Sequence, residues 1–500
     1  MKFFKKNSLS PDTKANNENL LTTNLIDNIE KIKKHMCQTE DLIINEINHN
    51  NQKSVILYME PLVNKELLQS YIIEPMLEGN SEDIVANIKS YEMKNISDIS
   101  NICNGILDGF CIIIKENCAN AIMAAVAGSQ ERSIQEPENE QNIKGPRDGF
   151  VESISTNIQL IRRKVKSPSL KVKYFTIGNY TNTKVAMVYI DDLTNRKIIE
   201  EVEKRISTIE MDQLLSTGSL EELIEDNPFT PFPQALSTER PDRAASYLTE
   251  GKINLIVDGN PNVAIVPITF FSFYQAPDDY NSRWLIGSFF RVIRVFSFFI
   301  AISLPAIYIA IVSFHSEILP IGILYSIRVS LEFVPFLPLI EAFTMQIILE
   351  LLKEAAIRLP SPIAQTIGIV GGLVIGTAVV EANLVSNTMI VVIGFTAIAS
   401  FVAPVNEMGT SSRLLGFPTM VAASVLGFFG IVFSLMLIFM HMCKLESFGM
   451  PYLSPLAPFK KEDVKDTILR LPIWKLNTRP TNSRPKRLGQ QGYSRVWKKK

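Results

Sequence analysis

The sequence predicts an α/β cytoplasmic N-terminal region of two subdomains, followed by an α-helical polytopic membrane domain. Two observations carry that expectation. Residues 1–287 hold charges throughout and contain no apolar stretch near the length that crosses a bilayer. From Val295 to Met442 charges become sparse and apolar runs dominate, as lipid-spanning segments require. The net charge of −1 conceals two different solvents and by itself identifies no partner.

The N-terminus, MKFFKKNSLSPDTKANNENL, is basic but lacks the apolar stretch of a secretory signal, which places the charged half in the cytoplasm. Five scattered cysteines without a CxxC pair read as reduced thiols. Four dispersed histidines imply no metal site, and no cofactor or nucleic-acid partner is expected.

Residues 1–50 read as a leader and a helix, with Leu25, Ile29 and Ile32 on one face between Asn24 and Met36. SVILYME (54–60) is a strand feeding a helical pattern through Leu77, and GFCIIIKE (109–116) repeats the theme ahead of an Ala-rich run. Residues 51–144 therefore form a first α/β subdomain, which closes on an exposed connection from Ser129 to Arg147. Residues 145–287 form the second. Phe150, Ile154, Ile158 and Ile161 mark a helix within 148–166, whose basic end complements its dipole. LKVKYFTIG and TKVAMVYIDD pair as strands, NRKIIEEVEKRIS is an amphipathic helix, and KINLIVDG is a late strand.

Charged clusters here have a bland reading as solvated faces or salt-bridge networks. Arg147, Arg162 and Arg163, with Glu239, Arg240 and Asp242 of the Pro-stiffened ERPDR string, are the candidates for specific pairing. Catalytic grammar is missing: no phosphate-cradling loop, GxSxG elbow or HExxH occurs, and Asp191-Asp192 and Asp278-Asp279 are neighbours whose side chains point apart. An enzyme is not expected.

In the membrane half (288–442), Val295–Phe314 is a charge-free span preceded by Arg291 and Arg294 on the cytoplasmic side. Ile318–Phe343 is broken by Pro335 and Pro338 and carries Arg328 and Glu332 four residues apart; they either fix packing or line a conduit. In 345–359, Glu350, Lys353, Glu354 and Arg358 make a polar stripe on an apolar helix. Pro362–Val380, Thr388–Pro404 and Leu415–His441 read as further spans. Gly368, Gly372 and Gly376 permit close packing in the first, and a short EMGTSSR connection separates the last two. The tail, 443–500, carries 14 Lys and Arg against 4 Asp and Glu and should be cytoplasmic. Two cytoplasmic ends need an even number of crossings, so 318–343 is expected to enter and return.

GPRDGFVESISTNIQLIRRK, FPQALSTERPDRAASYLTEGKINLIVDGNP and APDDYNSRW together resemble the A subunits of GerA-type spore germinant receptors, over about Asp41 to the tail. The resemblance implies a multi-pass protein of the spore inner membrane or cell membrane, with a cytoplasmic N-terminal region. It also implies a transporter-like B subunit and a C-subunit lipoprotein as partners, and a homo-oligomer of A subunits acting as a nutrient-gated ion channel within membrane lipids. Joined to the intramembrane charges, it makes Arg328, Glu332, Glu341, Glu350, Glu354 and Glu381 the candidate pore or gate residues. Accessory proteins resembling SpoVAF, associated with dipicolinate release, share these strings and form the alternative. A non-conducting scaffold and a solute transporter are the other readings, and transporters usually show paired broken helices where only one is visible here.

Overall fold

The computed structural model describes residues 19–49, 52–78, 88–90, 92–128, 136–137, 140–360, 363, 372, 374, 376–492, 494–495 and 497. Its first half consists of two antiparallel sheets of five strands each, laid down with the same chain order. In unit 1, helix α1 (Leu25–His35) precedes the hairpin β1 (Leu42–His49) and β2 (Gln52–Met59). Helical turns over 65–78 follow, then β3 (Met93–Ile96), α2 (Ile99–Leu107), and the hairpin β4 (Phe110–Lys115) and β5 (Ala121–Ala125). The spatial order is β1-β2-β4-β5-β3.

Unit 2 repeats that course. Helix α3 (Ile154–Lys164) leads the hairpin β6 (Leu170–Ile177) and β7 (Thr183–Ile190). Helices α4 (Arg196–Ser207) and α5 (Thr217–Ile224) intervene before β8 (Leu236–Thr238), α6 (Pro241–Thr249), β9 (Ile253–Val257) and β10 (Val263–Val266). The order β6-β7-β9-β10-β8 is that of unit 1.

Local chemistry explains the elements. Asn24 caps α1 by accepting from the backbone N–H groups of Ile26 and Asp27, and Lys33, Lys34 and His35 occupy its last turn. Each sheet is buried on both faces, so its central strands are largely apolar, with Asn254 of β9 a buried exception that donates to the Ala244 carbonyl at 3.2 Å. In unit 1, Val55, Leu57, Ile112 and Ile114 face α1 and α2, while Ile56, Cys111 and Ile113 face the helical turns. In unit 2, Ala186, Val188 and Ile256 face α3 and α6, while Val185, Met187 and Leu255 face α4 and α5.

The units are joined by a buried ion pair. Arg162 donates from Nε to Asp41 at 2.5 Å and from Nη2 at 2.7 Å, and both side chains are fully buried. Around it, Thr39 accepts from Arg162 and Val172, and the Tyr174 N–H donates to Glu40 at 2.6 Å. The linker segment 39–41 thus docks on the edge strand β6 of the other unit.

The second half is helical. Among the described residues one helix, α7 (Trp284–Ser313, 30 residues), is long and apolar enough to cross a membrane. It packs with α9 (Pro338–Arg358), α10 (Asn387–Phe401), α11 (Asn406–Leu426) and α12 (Phe428–Lys444), whereas α8 (Ile321–Glu332) lies mostly exposed.

The sequence expectations need several corrections. Residues 1–50 are more than leader and helix, because β1 is the edge strand of the first sheet. The Ala-rich run is strand β5, paired on both sides, since small side chains fit a layer covered on both faces. The exposed connection includes Glu140, which accepts from Thr238 and Arg243 in unit 2. Leu415–His441 is not one span. The chain reverses at Gly427 (φ +59°), and Thr419 and Ser434 meet across the resulting hairpin at 2.9 Å. Gly430 is obligatory there, because a Cβ would meet the carbonyl oxygen of Ala422 at 1.9 Å. EMGTSSR is not a connection but lies within the first turns of α11.

Most of Pro362–Val380, with Gly368, lies outside the described residues. A Cβ on Gly372 or Gly376 would meet nothing within 4 Å, so close packing at those two is not supported. The expected break in 318–343 is present as the gap between α8 and α9. Finally, residues 446–492 are not a free basic tail but a strap wound over unit 2: Ser483 donates to the Glu250 carbonyl, Arg479 to that of Thr249, and Lys486 to that of Asp191.

Replacing Asp41 with Ala strands a buried guanidinium, and the expected loss is about 3–5 kcal/mol. Thermal unfolding of the purified chain measures it; an unchanged midpoint would mean the pair is dispensable.

Candidate functional site

The chemistry concentrates where unit 2, the helices and the strap converge. The loop 228–233, PFTPFP, leads from α5 into β8 and places Phe232 at the centre. Phe232 is 1% exposed and lies 6.4 Å from Phe298 of α7, 6.2 Å from His441 of α12 and 6.2 Å from Tyr452 of the strap. Polar bonds fix the same loop. Thr230 shares a 2.8 Å hydrogen bond with His441, Ser411 of α11 donates to the Pro231 carbonyl, and Tyr452 donates to that of Pro233 at 2.9 Å. One apolar cluster therefore runs from Ile158 through Phe232 and Tyr452 to Phe298 and Met442.

Beside it lies an ionic hub. Pro277 opens a short helix (Pro277–Asn281) that carries Asp279, which is 1% exposed. Asp279 accepts from Arg291 at 3.0 Å and from Arg294 at 2.9 Å, both on the first half of α7. Arg291 reaches on to Asp466 of the strap at 2.6 Å, and the Tyr280 hydroxyl donates to the same carboxylate at 2.7 Å. Arg470, also in the strap, donates to the backbone carbonyls of Asp279 and Ser282. Buried guanidinium groups are tolerable only when opposed and hydrogen-bonded in this way.

On the other flank, Glu221 of α5 and Glu225 just beyond its end face Glu407 of α11. Burial first, then the Glu407 and Glu225 carboxylates, raises the Glu221 carboxyl to about 8. Burial, Glu222 and Glu407 raise that of Glu225 to about 7. One oxygen of Glu221 is buried without a partner.

The predicted pairing residues fall into different places. Arg162 pairs with Asp41. Arg240 and Asp242 pair with each other through 2.8 and 3.1 Å bonds, and Arg240 also binds the carbonyls of Glu140 and Pro146, so the ERPDR and GPRDGF strings do meet. The Glu239 carbonyl accepts from the Phe150 N–H at 2.7 Å. Arg147 is exposed and binds Glu136 at 3.2 Å. Arg163 is exposed and has no ion-pair partner among the described residues.

The predicted gate residues also separate. Arg328 and Glu332 are exposed, make no ion pair with each other among the described residues, and line one open groove of about 560 Å³. Glu341 is 1% exposed; one oxygen accepts from the Ser386 N–H, and the other is buried without a partner. Glu350 pairs with Arg413 of α11, which also donates to Ser400 at 2.9 Å. Lys353 reaches Thr410 at 3.3 Å. Glu354 and Arg358 pair with each other on the surface. Glu381 is exposed. The polar stripe of 345–359 thus divides, with Glu350 and Lys353 turned towards α11.

Sequence reasoning missed Asp279, Asp466, Arg470 and Phe232 as functional residues. Arg291 and Arg294 served only as topology markers, although two cations entering an apolar helix are themselves a signal that an acid lies nearby.

The model of the Bacillus/Clostridium GerA spore germination proteins matches residues 30–482. Spore germination protein KA of Bacillus subtilis is 38% identical over 472 residues, covering 92% of this chain and 87% of its own. Spore germination protein GerQA of Bacillus cereus is 38% identical over 93% of this chain and 94% of its own. The uncharacterized membrane protein YfkQ of Bacillus subtilis is 37% identical over 97% of this chain and 96% of its own. Among solved structures, the N-terminal domain of the A subunit of the Bacillus megaterium spore germinant receptor GerK3 is 29% identical. That likeness covers 50% of this chain and 97% of that one, with a TM-score of 0.40.

A carboxyl harder to ionise when folded costs nothing at a pH where it is protonated in both states. As pH rises from the ordinary value of 4.5 towards about 8 at Glu221, only the unfolded chain ionises freely, and folding loses stability across that window. Glu221→Gln removes the loss. Its melting temperature should match the parent's near pH 4.5 and exceed it by a margin that grows up to pH 8; a margin independent of pH would refute the assignment.

Proposed function

Because the chain belongs to the Bacillus/Clostridium GerA spore germination protein family, we propose that it is the membrane A subunit of a nutrient germinant receptor and conducts ions as an oligomer. Two of the relatives, KA of Bacillus subtilis and GerQA of Bacillus cereus, are spore germination proteins. The observation that carries the finer reading is the single core shared by unit 2 and the helices through Phe232. A partner or ligand that displaces unit 2 moves α11 with it, because Ser411 holds the Pro231 carbonyl. Arg413, little more than half a turn further along, moves as well and carries Glu350 of α9 with it. A rigid aromatic contact followed by an ion pair between two helices is a physical route from the charged half to a gate.

In this reading α7 crosses the spore inner membrane, and α9 to α12 complete a multi-pass domain. Unit 2 and the strap share the cytoplasmic side, to which Arg291, Arg294, His441 and Lys444 belong. The transporter-like B subunit and lipoprotein C subunit supply nutrient recognition and anchoring, and copies of the A subunit assemble around a common pore. The chain itself is not catalytic.

Glu350→Gln and Arg413→Gln should each reduce nutrient-triggered ion release from spores several-fold. The double variant should be no worse than either, since the two groups act as a unit. Glu332→Gln tests the open groove of α8 in the same assay. Unchanged ion release in all of these removes the gate assignment. Loss of dipicolinate release with intact early ion release would favour the accessory, SpoVAF-like role.

A further inference from the structure

The loop that buries Phe232 does the opposite with Phe229, which is 97% exposed. We propose that Phe229 is a membrane anchor, inserted at the boundary between headgroups and acyl chains beside α11. This rests on the membrane reading given above.

The loop is built for such a place. Pro228, Pro231 and Pro233 have no backbone N–H to leave unpaired. The remaining donors are satisfied internally: Phe229 N–H by the Asn227 side chain at 3.3 Å, Thr230 N–H by the Asn227 carbonyl at 3.5 Å, and Phe232 N–H by Thr230 Oγ1 at 3.3 Å. The carbonyls of Pro231 and Pro233 accept from Ser411 and Tyr452. No charged residue lies between Asn227 and Gln234. A loop with no N–H group left unpaired loses less on leaving water, which suits it to the headgroup boundary.

The loop is also rigid. Gln234 clamps it from within, accepting from the Asn227 N–H at 3.1 Å and donating to the Asn227 carbonyl at 2.7 Å. Its contacts with Ser411, His441 and Tyr452 then fix it to α11, α12 and the strap. Phe229 is therefore held out by construction.

The occupant is identified by continuity. Phe229 and Pro231 line an open apolar groove of about 540 Å³ with Leu414, Phe417 and Pro418 of α11. Leu414, Val421 and Val425 are 57%, 44% and 64% exposed, and with Pro418 they recur at steps of four, three and four along the helix. That uninterrupted apolar face runs from the groove along α11, and a helix face of this kind in a membrane domain meets lipid. Phe229 stands at its edge, where an aromatic ring on a charge-free loop fits the interface.

The test places tryptophan at Phe229 in the full chain, reconstituted in phosphatidylcholine–phosphatidylglycerol vesicles, and reads the emission added over the parent. With lipid brominated near the headgroup end of its chains, the added emission should fall about twofold and resist iodide, as for a ring at the interface. Ile300→Trp, on the exposed side of α7, is the control for the membrane reading. Quenching at Ile300→Trp but not at Phe229→Trp overturns the anchor alone, and iodide quenching at Phe229→Trp then puts the ring in water. Insensitivity to both quenchers also overturns it, because a second copy then covers the ring. Lack of lipid quenching at both positions overturns the anchor and the membrane reading together.

Discussion

Asp279 is the constraint on which the rest of the junction depends. A single buried carboxylate, 1% exposed, faces two cations from the base of the long helix, and Arg291 extends the network to Asp466 in the strap. Leaving Arg291 buried without it would be far costlier than any surface pair, because desolvation of a guanidinium is not recovered elsewhere. The short helix that carries Asp279 follows directly on unit 2. This carboxylate therefore helps fix the angle at which α7 leaves the charged half, and Arg291 ties α7 to the strap at Asp466.

The duplicate topology divides the labour. Both units use the same order of strands and the same double covering of the sheet, yet among the described residues it is unit 2 that shares its core with the helices. Unit 1 reaches unit 2 through Asp41 and Arg162, a contact in which every polar group but one guanidinium nitrogen is bonded. Such a contact transmits position and tolerates little slack. Unit 1 is thus placed to bias unit 2, and unit 2 to bias the helices.

Charges in the helical half sort by what they oppose. Glu350 and Arg413 satisfy each other between α9 and α11, Glu354 and Arg358 do so on the surface, and Glu341 holds the Ser386 N–H. Arg328 and Glu332, which share a helical face, remain unpaired with each other beside an open groove. The resemblance and the intramembrane charges together grouped Arg328, Glu332, Glu341, Glu350 and Glu354 as gate candidates, whereas contact separates structural pairs from exposed charges.

The sequence by itself determined the division into a charged half and an apolar half, the strands and helices of both units where period and apolar content agree, and the family. These are local properties: Asn24 caps α1 whatever it packs against, and the hairpin of β6 and β7 follows from two adjacent apolar strands. Tertiary structure alone decided the rest. Strand β1, with its polar Asn45, Glu46 and Asn48, is a strand because β2 offers it an edge. The break at Gly427 is invisible to hydropathy because apolar residues continue through it, and it exists because the helices on either side pack face to face. The basic tail became a strap because Arg479 and Lys486 find the carbonyls of Thr249 and Asp191 and Arg487 pairs with Asp192, partners hundreds of residues away that no local pattern can register.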